Sequence, residues 1–311
     1  MKYDNATIRD NIVRSIETNY QIVVDTVSFI PIGEESYSYK IKGKNSQTFF
    51  AKYCAKKEII ASIDIVNELL LKLSNFEFVV PPIQIRGKTS CSVLEGKLYL
   101  FPFINGTNIS LGNHDWDKTL YERIFDIMIK IHNSTHIINL NLPKETFENN
   151  FIDRLNLLVS VVGNNQNYDK QTNELLIMNE TLIRKIINQH TLLGAMYKKK
   201  NLRFVLTHGD ITGLNIIKTT KGMKLIDWDG AMFTPSERDL NFLSSNKHFS
   251  IKKYITETKS KHYPDLLDYY GQQWSLNSIL ENFEALLSSN MTNINKDDCI
   301  DEINEYLSYY K

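Results

Sequence analysis

Two neighbouring stretches, Leu206-Thr-His-Gly-Asp-Ile-Thr-Gly-Leu-Asn215 and Leu225-Ile-Asp-Trp-Asp229, carry the most specific information in this 311-residue chain. They place Asp210, Asn215 and Asp227 within one short strand–loop–strand unit. The apolar residues before Asp210, after Asn215 and before Asp227 predict short buried strands. A Lys-Gly turn between the last two strands predicts that they form a hairpin. Asp227 is therefore expected beside Asn215, with Asp210 at the mouth of the same loop.

These three side chains suit the transfer of a phosphoryl group to a hydroxyl group. That reaction requires an oriented acceptor hydroxyl and neutralisation of the phosphate charge, and little covalent chemistry from the protein. Asp210 is the candidate base, because a carboxylate at the mouth of the loop can accept a hydroxyl proton. Asn215 and Asp227 are candidate ligands of Mg²⁺, which prefers hard oxygen atoms and takes further ligands from substrate phosphates. A single Asp or Asn would carry little weight, since both are common turn residues.

The same residues resemble the catalytic loop and metal motif of the aminoglycoside phosphotransferase and choline kinase superfamily, which shares the protein-kinase fold. The resemblance rests on His208-Gly-Asp210, Asn215 and Ile226-Asp227. The following run, Asp227-Trp-Asp-Gly-Ala-Met-Phe-Thr-Pro-Ser-Glu-Arg-Asp-Leu240, resembles more specifically the spectinomycin phosphotransferase branch. The resemblance implies a catalytic base at the Asp of the loop and Mg²⁺ ligands at the Asn and at the first Asp of Asp-Trp-Asp.

The resemblance also implies supporting roles around this motif. His208 is expected to orient the catalytic loop rather than to react, and Asp239 to brace that loop from the start of a helix. Two interpretations of Asp229 stay open. It either supports the metal site behind Asp227 or is a family feature without a direct function.

The N-terminal part of the chain predicts a nucleotide-binding sheet. β-Branched and aromatic residues over 23–32, 37–41 and 48–53, separated by turn residues, predict three antiparallel strands. The first turn contains one glycine, Gly33, and no glycine-rich repeat. Backbone amide groups near Ser36 are expected to cap the phosphates of a nucleotide there.

Lys52, in the third predicted strand, resembles the lysine that holds the α- and β-phosphates of ATP in kinases. A long amphipathic helix is predicted over 56–74, and Glu68 within it is the expected ion-pair partner of Lys52. Glu58 and Asp64 are the rival partners. A lone strand lysine can also be a solvated edge residue.

The segment Tyr99-Leu-Phe-Pro-Phe-Ile-Asn-Gly106 resembles the hinge between the two lobes of the family. In that interpretation the backbone of Phe101 and Phe103 binds the purine base of ATP or GTP. An ordinary core strand is the alternative. The segment sets the predicted domain organisation, with a nucleotide-binding lobe at 1–104 and a helical lobe at 105–311 that carries the catalytic loop and the acceptor site.

The C-terminal region has a bias that bears on the acceptor. From Lys261 onward there are nine acidic residues and three Lys residues. A cationic acceptor such as an aminocyclitol would be attracted to this lobe, whereas solvated acidic helix faces are the plain alternative. Tyr269, Tyr270 and Trp274 are expected either to form an aromatic wall for a sugar ring or to pack in the core.

Composition limits the remaining classes of function. Lys plus Arg and Asp plus Glu both number 36, so net charge gives no attraction to nucleic acid or to a membrane surface. No segment resembles a membrane span or a signal peptide. Three widely separated cysteines fit neither a disulfide framework nor a metal site and indicate a reducing cytoplasm. A monomer or weak dimer is expected.

These features predict an α+β, two-lobed, protein-kinase-like fold with a small β-rich N-terminal lobe, one long helix within it, and a larger helical C-terminal lobe. The implied function is ATP-dependent phosphorylation of a small-molecule hydroxyl group, with an aminocyclitol or aminoglycoside antibiotic such as spectinomycin as the favoured acceptor. A metabolic kinase for choline, homoserine or a thio-sugar is one alternative. A non-catalytic, kinase-like nucleotide-binding protein is another.

Overall fold

The computed structural model describes residues 3–31, 36–109, 115–161, 170–287 and 293–311. By its internal contacts the chain forms two compact units. The first comprises Met1–Pro143, Val205–Phe233 and Phe242–Thr258, and the second comprises Lys144–Phe204, Thr234–Asn241 and Lys259–Lys311. The assignment of nucleotide binding to residues 1–104 and of acceptor binding to residues 105–311 stays a prediction.

The first unit contains a five-stranded antiparallel sheet of order β1-β2-β3-β5-β4. Its strands are β1 (Val24–Ile30), β2 (Tyr37–Gly43), β3 (Thr48–Cys54), β4 (Ser90–Val93) and β5 (Gly96–Pro102). The three strands predicted near the N-terminus are confirmed. Side chains alternate between buried and half-buried along most of β3, as the period of two in a strand requires.

Helix α1 (Ala6–Tyr20) packs on one face of this sheet. It begins at Asn5, whose side-chain oxygen accepts a hydrogen bond from the Ile8 N–H at 3.1 Å and so caps the first turn. Ile12 and Ile16, one helical turn apart, are fully buried against Tyr39 and its neighbours in the sheet. Burial of this apolar stripe, rather than helix propensity, stabilises α1.

Helix α2 (Lys57–Lys72) follows β3 and confirms the long helix predicted over 56–74. Ile63 packs against Cys54 and Tyr99 of the sheet. The residues of α2 that are buried are Ile63, Val66, Asn67, Leu69 and Leu70. Asn67 is the exception in this apolar set, since only 1% of it is exposed and its side-chain Nδ2 has no partner within the described residues.

Short strands carry the predicted hairpin. They are β6 (Thr107–Asn108), β7 (Val205–Thr207), β8 (Ile216–Thr219), β9 (Gly222–Leu225) and β10 (Met232–Thr234). β8 and β9 form the antiparallel hairpin, β6 pairs with β8, and β7 pairs with β10. Gly106 precedes β6, where a Cβ atom would lie 2.4 Å from the Lys218 carbonyl oxygen. A glycine is therefore required for the close approach of these two strands.

Two further helices complete the first unit, α3 (Lys118–Asn133) and α7 (Ile251–Thr258). His132, near the end of α3, is buried, and its Nδ1 lies 2.7 Å from the Tyr254 hydroxyl of α7. This contact joins α3 to α7.

The second unit is helical. Its helices are α4 (Asn150–Val161), α5 (Lys170–Lys198), most of α6 (Glu237–Leu243), α8 (Pro264–Leu286) and α9 (Asn293–Ser308). Tyr269 and Tyr270 are buried in a cluster with Tyr197 and Leu266, so core packing is the correct interpretation for these two tyrosines. Trp274 is 38% exposed, and its indole N–H faces the Tyr306 hydroxyl oxygen at 3.3 Å.

Candidate active site

The catalytic loop runs from β7 to β8 within the first unit. It is fixed on its N-terminal side, where the Leu206 N–H donates to the Thr135 hydroxyl at 2.8 Å and the Thr207 hydroxyl donates to the Met232 carbonyl at 3.1 Å. Gly209 takes a positive φ of 88°, a left-handed conformation that favours glycine. The His-Gly-Asp sequence therefore turns sharply and directs Asp210 out of the strand.

His208 holds the loop through both ring nitrogens. Its Nδ1 accepts a hydrogen bond from the Asp210 backbone N–H at 3.2 Å, so Nε2 carries the hydrogen and faces the Ile226 carbonyl at 3.0 Å. The ring is fully buried and meets Trp228 edge to face at 4.8 Å. With both nitrogens engaged, His208 has the geometry of an orienting residue, and that role remains a prediction.

Asp210 and Asn215 are held together at the centre of the loop. The Asn215 amide Nδ2 donates to the Asp210 carboxylate Oδ2 at 2.7 Å and to its backbone carbonyl at 3.1 Å. The other carboxylate oxygen, Oδ1 of Asp210, is buried and has no donor within the described residues. Because the Asn215 nitrogen is committed to Asp210, the Asn215 side-chain oxygen is the atom left to bind a cation.

The β8–β9 hairpin brings Asp227 beside Asn215. Ile216 pairs with Leu225, and the Ile226 N–H donates to the Asn215 carbonyl at 2.9 Å. Asp227 follows with φ 62° and ψ 62°, a left-handed conformation that is strained for a residue other than glycine. The strand pairing predicted from the sequence is thus observed, and the strained residue is the candidate metal ligand.

Burial and charge raise the pKa of the Asp227 carboxyl above its ordinary value. Loss of hydration is the main cause, and the neighbouring carboxylates of Asp229 and Asp210 act in the same direction, whereas the Lys52 ammonium opposes them. A bound cation would relieve this repulsion, because it favours the ionised form of the carboxyl. The electrostatics of the site therefore suit a cation.

The donor set also fits Mg²⁺. None of the described residues form a group of three or more His, Cys, Asp or Glu side chains that would hold a metal ion by themselves. One carboxylate and one amide oxygen, from Asp227 and Asn215, are the small protein contribution that Mg²⁺ accepts when nucleotide phosphates and water supply its remaining ligands.

Lys52 projects from the half-buried face of β3, which it shares with Phe50, while Ala51 and Tyr53 face the core. Its Nζ lies 2.8 Å from Oδ2 of Asp229. The lysine and the candidate metal ligand Asp227 both lie near Asp229. This geometry brings the candidate phosphate-binding cation to the metal motif.

The prediction that Lys52 pairs with Glu68 is wrong. Within the described residues, Lys52 forms its ion pair with Asp229. Glu68 is exposed on α2 and makes no ion pair there. The rival Asp64 binds the Lys97 ammonium at 2.5 Å and the Tyr99 hydroxyl at 3.0 Å. The helix period is the reason, because the face of α2 turned to the sheet is apolar and directs Glu68 to solvent.

The other predicted nucleotide contacts are only partly described. Ser36 is buried at the start of β2, but most of the preceding turn, including Gly33, lies outside the described residues. Phe101 pairs with Phe50 in the sheet. The Phe103 backbone N–H already donates to the Thr48 carbonyl at 3.0 Å, so only the Phe103 carbonyl is left to meet a purine.

The Pro-x-Glu-Arg-Asp-Leu run forms the start of α6. Asp239 is fully buried in its first turn, and its predicted contact with the catalytic loop stays a prediction. The same run contains a structural residue that the sequence did not reveal. Glu237 is 1% exposed and accepts hydrogen bonds from the His262 ring at 3.0 Å and the Tyr263 N–H at 2.8 Å. A motif alone could not indicate partners 25 residues further along the chain.

Residues 26–274 match the model of the phosphotransferase enzyme family. The chain belongs to the phosphotransferase enzyme family. It is a small-molecule phosphotransferase that uses a hydroxyl group as acceptor. A curated relative, Protein StrN of Streptomyces griseus, is 22% identical over 301 residues, covering 88% of this chain and 85% of that protein.

Solved structures of other kinases share the fold of this phosphotransferase. The complex of spectinomycin phosphotransferase APH(9)-Ia with ADP and spectinomycin superposes with a TM-score of 0.75 at 21% identity, covering 95% of this chain and 93% of that chain. Choline kinase LicA from Streptococcus pneumoniae gives a TM-score of 0.61 at 15% identity over 98% and 100% of the two chains. The predicted kinase-like α+β fold is confirmed.

The family assignment and the fold support nucleotide use by this phosphotransferase. Among the helices in the described ranges, none has the length and apolar character needed to cross a membrane.

Proposed function

We propose that this phosphotransferase transfers the γ-phosphoryl group of ATP to a hydroxyl group of an aminocyclitol or aminoglycoside antibiotic, with spectinomycin as the first candidate. The observation that carries the reaction is the buried, unpartnered Oδ1 of Asp210. A buried carboxylate oxygen without a donor is costly unless a ligand supplies one. An acceptor hydroxyl is such a ligand.

Asp210 orients the acceptor hydroxyl and receives its proton. The hydroxyl oxygen forms a bond to the γ-phosphorus as the bond from that phosphorus to the oxygen of ADP breaks. The hydroxyl proton passes to Oδ1 of Asp210, while the Asn215 amide keeps Oδ2 of the same carboxylate in place. His208 fixes the loop backbone at the Asp210 N–H.

Asn215 and Asp227 hold Mg²⁺, which neutralises charge on the phosphates when it is bound. Lys52 donates to the α- and β-phosphates. Backbone groups near Ser36 cap the phosphates, and the backbone at Phe101 and Phe103 meets the purine ring of ATP or GTP. These roles account for the charged side chains that the hairpin and β3 bring together.

Two observations favour a cationic antibiotic over other alcohols as the acceptor. The run from Asp227 to Leu240 resembles the spectinomycin phosphotransferase branch, and the structure of that kinase shares the fold over nearly the whole chain. The acidic excess from Lys261 onward would attract a cationic molecule. An ATP-dependent modification of this kind would act in the cytoplasm and protect the cell from the antibiotic.

Mass spectrometry of candidate acceptors after incubation with the protein and ATP tests this proposal. The acceptors are spectinomycin, several aminoglycosides, choline and homoserine, each with Mg²⁺ and with the metal removed by a chelator. GTP replaces ATP in a parallel series. The expected result is one added phosphate on spectinomycin, dependent on Mg²⁺.

The other outcomes separate the parts of the proposal. Phosphorylation of choline or homoserine alone would replace the antibiotic acceptor with a metabolite. Product formed without any divalent cation would contradict the roles of Asn215 and Asp227. Failure to bind a nucleotide at all would contradict the proposed function as a whole.

A further inference from the structure

We propose that Asp229 is the positioning residue for Lys52 and replaces the helix carboxylate that was expected from the sequence. This inference rests on the proposed function, in which Lys52 binds the phosphates of ATP. The Nζ of Lys52 lies 2.8 Å from Oδ2 of Asp229, and 20% of the lysine side chain and 52% of the aspartate side chain are exposed. The distance is that of a charge-assisted hydrogen bond.

Helix α2 offers Lys52 no carboxylate in this structure. Asp64 is engaged by Lys97 and Tyr99, and Glu68 is exposed. The polar side chain that α2 buries next to Glu68 is an amide, Asn67, which carries no charge. The carboxylate that holds Lys52 therefore comes from Asp229, two residues after Asp227, and not from α2.

The pair leaves Lys52 able to bind a nucleotide. A lysine ammonium group has three N–H donors, so one can remain on Asp229 while two meet phosphate oxygens. Asp229 also lies two residues after the candidate metal ligand Asp227, and its charge raises the pKa of that carboxyl. The phosphate-binding cation is thus tied through Asp229 to the metal motif itself.

Nucleotide binding without turnover tests this role. Isothermal titration calorimetry with Mg²⁺ and the non-hydrolysable ATP analogue AMP-PNP would be performed on the full chain and on Asp229→Asn, Lys52→Met and the double variant. Glu68→Gln tests the rejected partner. Lys42→Met is the matched control, because Lys42 is a strand lysine whose Asp25 partner lies 3.8 Å away on the same sheet.

Asp229→Asn should weaken AMP-PNP binding about fivefold, the size of a partly exposed charged pair. Lys52→Met should weaken it at least about tenfold, and the double variant should bind no more weakly than Lys52→Met alone. Glu68→Gln and Lys42→Met should change the dissociation constant less than about twofold. Asp229→Glu, which keeps the charge, should restore part of the affinity.

The sign of the Asp229→Asn effect makes the test specific. Removing the negative charge of Asp229 would by itself strengthen AMP-PNP binding, because its repulsion of the phosphates is lost. Weaker binding of AMP-PNP therefore reports that Lys52 has lost its position. Tighter or unchanged binding, additive losses in the double variant, or a loss in Glu68→Gln equal to that in Asp229→Asn would overturn the proposal. Thermal melting of each variant identifies any misfolded protein. If Asp229→Asn does not fold, the comparison of AMP-PNP binding is made with Asp229→Glu instead. Absence of AMP-PNP binding by the unaltered chain would instead contradict the proposed function.

Discussion

Glu237, at the start of α6, and Asp210, in the catalytic loop, differ in how their carboxylate oxygens are hydrogen-bonded. Glu237 is buried, and Asp210 is half-buried with its Oδ1 atom inaccessible. Both oxygens of Glu237 have donors, with the His262 ring and the Tyr263 N–H on Oε1 and the Ser236 hydroxyl on Oε2 at 3.3 Å. Asp210 has a donor on Oδ2 from Asn215, while its Oδ1 is buried without one. Among the unpartnered buried atoms of the described residues, it is the one carboxylate oxygen.

Under the proposed function, the difference separates a residue that serves the fold from one that serves the reaction. Completing the hydrogen bonds of a buried carboxylate stabilises the folded state, and leaving one oxygen without a donor costs about 1–3 kcal/mol or more. A folded protein tolerates this cost at a position where a bound ligand supplies the missing donor. Glu237 therefore holds the chain before α8, whereas we propose that the acceptor hydroxyl completes the hydrogen bonds of Asp210.

Loss of Asp210 should have the largest effect. Asp210→Ala should lower turnover at least about 10³-fold, or about 4 kcal/mol of transition-state stabilisation, because the acceptor hydroxyl loses its base. The dissociation constant of the nucleotide should stay within about twofold, since Asp210 contacts the acceptor side. Steady-state kinetics with the acceptor and calorimetry with AMP-PNP measure the two quantities.

The stability of Asp210→Ala is a second test of the contrast between Asp210 and Glu237. The free energy of unfolding should change little. Removal of the buried Oδ1 without a donor offsets the lost hydrogen bond from Asn215 to Oδ2, and the Asn215 amide keeps its hydrogen bond to the Asp210 backbone carbonyl. Asp126→Ala is the control for both measurements, since Asp126 pairs with Lys253 at a half-exposed position of the same unit. A marked loss of stability in Asp210→Ala, or retained turnover, would place Asp210 with Glu237 among the residues that serve the fold.

Glu237→Gln should produce the next largest effect, on stability. The glutamine oxygen can still accept from the His262 ring and the Tyr263 N–H, but the negative charge that strengthens both hydrogen bonds is lost, so the free energy of unfolding should fall by about 2 kcal/mol. Urea denaturation followed by circular dichroism measures the change. Glu180→Gln, a half-exposed i,i+4 pair with Arg184, should change it by less than about 0.5 kcal/mol. Equal effects of the two variants would refute a structural role for Glu237.

His190 extends the comparison to pH. It is 2% exposed, and burial lowers its pKa from 6.5 to about 4. The ring stacks on Tyr269 at 4.3 Å, its Nδ1 lies 3.2 Å from the Tyr269 carbonyl, and its Nε2 lies 3.0 Å from the Asn149 amide nitrogen. The Nδ1 therefore carries the hydrogen, and Nε2 accepts from Asn149.

The unfolded chain should bind a proton at His190 between pH 6.5 and about pH 4, where the folded chain does not. The stability contributed by the neutral ring is therefore present above pH 6.5 and is lost as the pH falls, by about 2 kcal/mol between pH 7 and pH 5. His190→Gln, which keeps a donor and an acceptor, should flatten this part of the urea-denaturation profile. His136→Gln, at an exposed position, should leave it unchanged. Identical profiles for His190→Gln and the unaltered chain would be the contrary result.

Asn67 should give the smallest effect. Its buried Nδ2 has no partner in the described part of the chain, and a leucine of similar volume would remove that unsatisfied group. Asn67→Leu should raise the free energy of unfolding by about 1 kcal/mol and leave AMP-PNP binding unchanged. Lower stability would mean that the amide has a partner. Weaker nucleotide binding would mean that Asn67, like Asp210, is completed by a ligand.

The sequence predicted the elements of the site well, because local patterns determine them. The apolar residues around Asn215 and Asp227 and the turn between β8 and β9 specify a hairpin, and pairing of Ile216 with Leu225 follows from its register. The helix over 56–74 was equally clear from its apolar period. The partner of Lys52 was not, since several carboxylates were available and spacing along the chain does not say which one faces the lysine.

By itself the sequence predicted the first three strands, helix α2 and the hairpin that joins Asn215 to Asp227, because these depend on periodicity and on residues close together in the chain. The family followed from the resemblance of the His-Gly-Asp and Asp-Trp-Asp motifs. Only the tertiary structure decided which side chains meet across long separations. Lys52 binds Asp229, 177 residues away, His262 binds Glu237, and Oδ1 of Asp210 is left without a donor. Burial and hydrogen-bond partners arise from packing of the whole chain, and no local pattern encodes them.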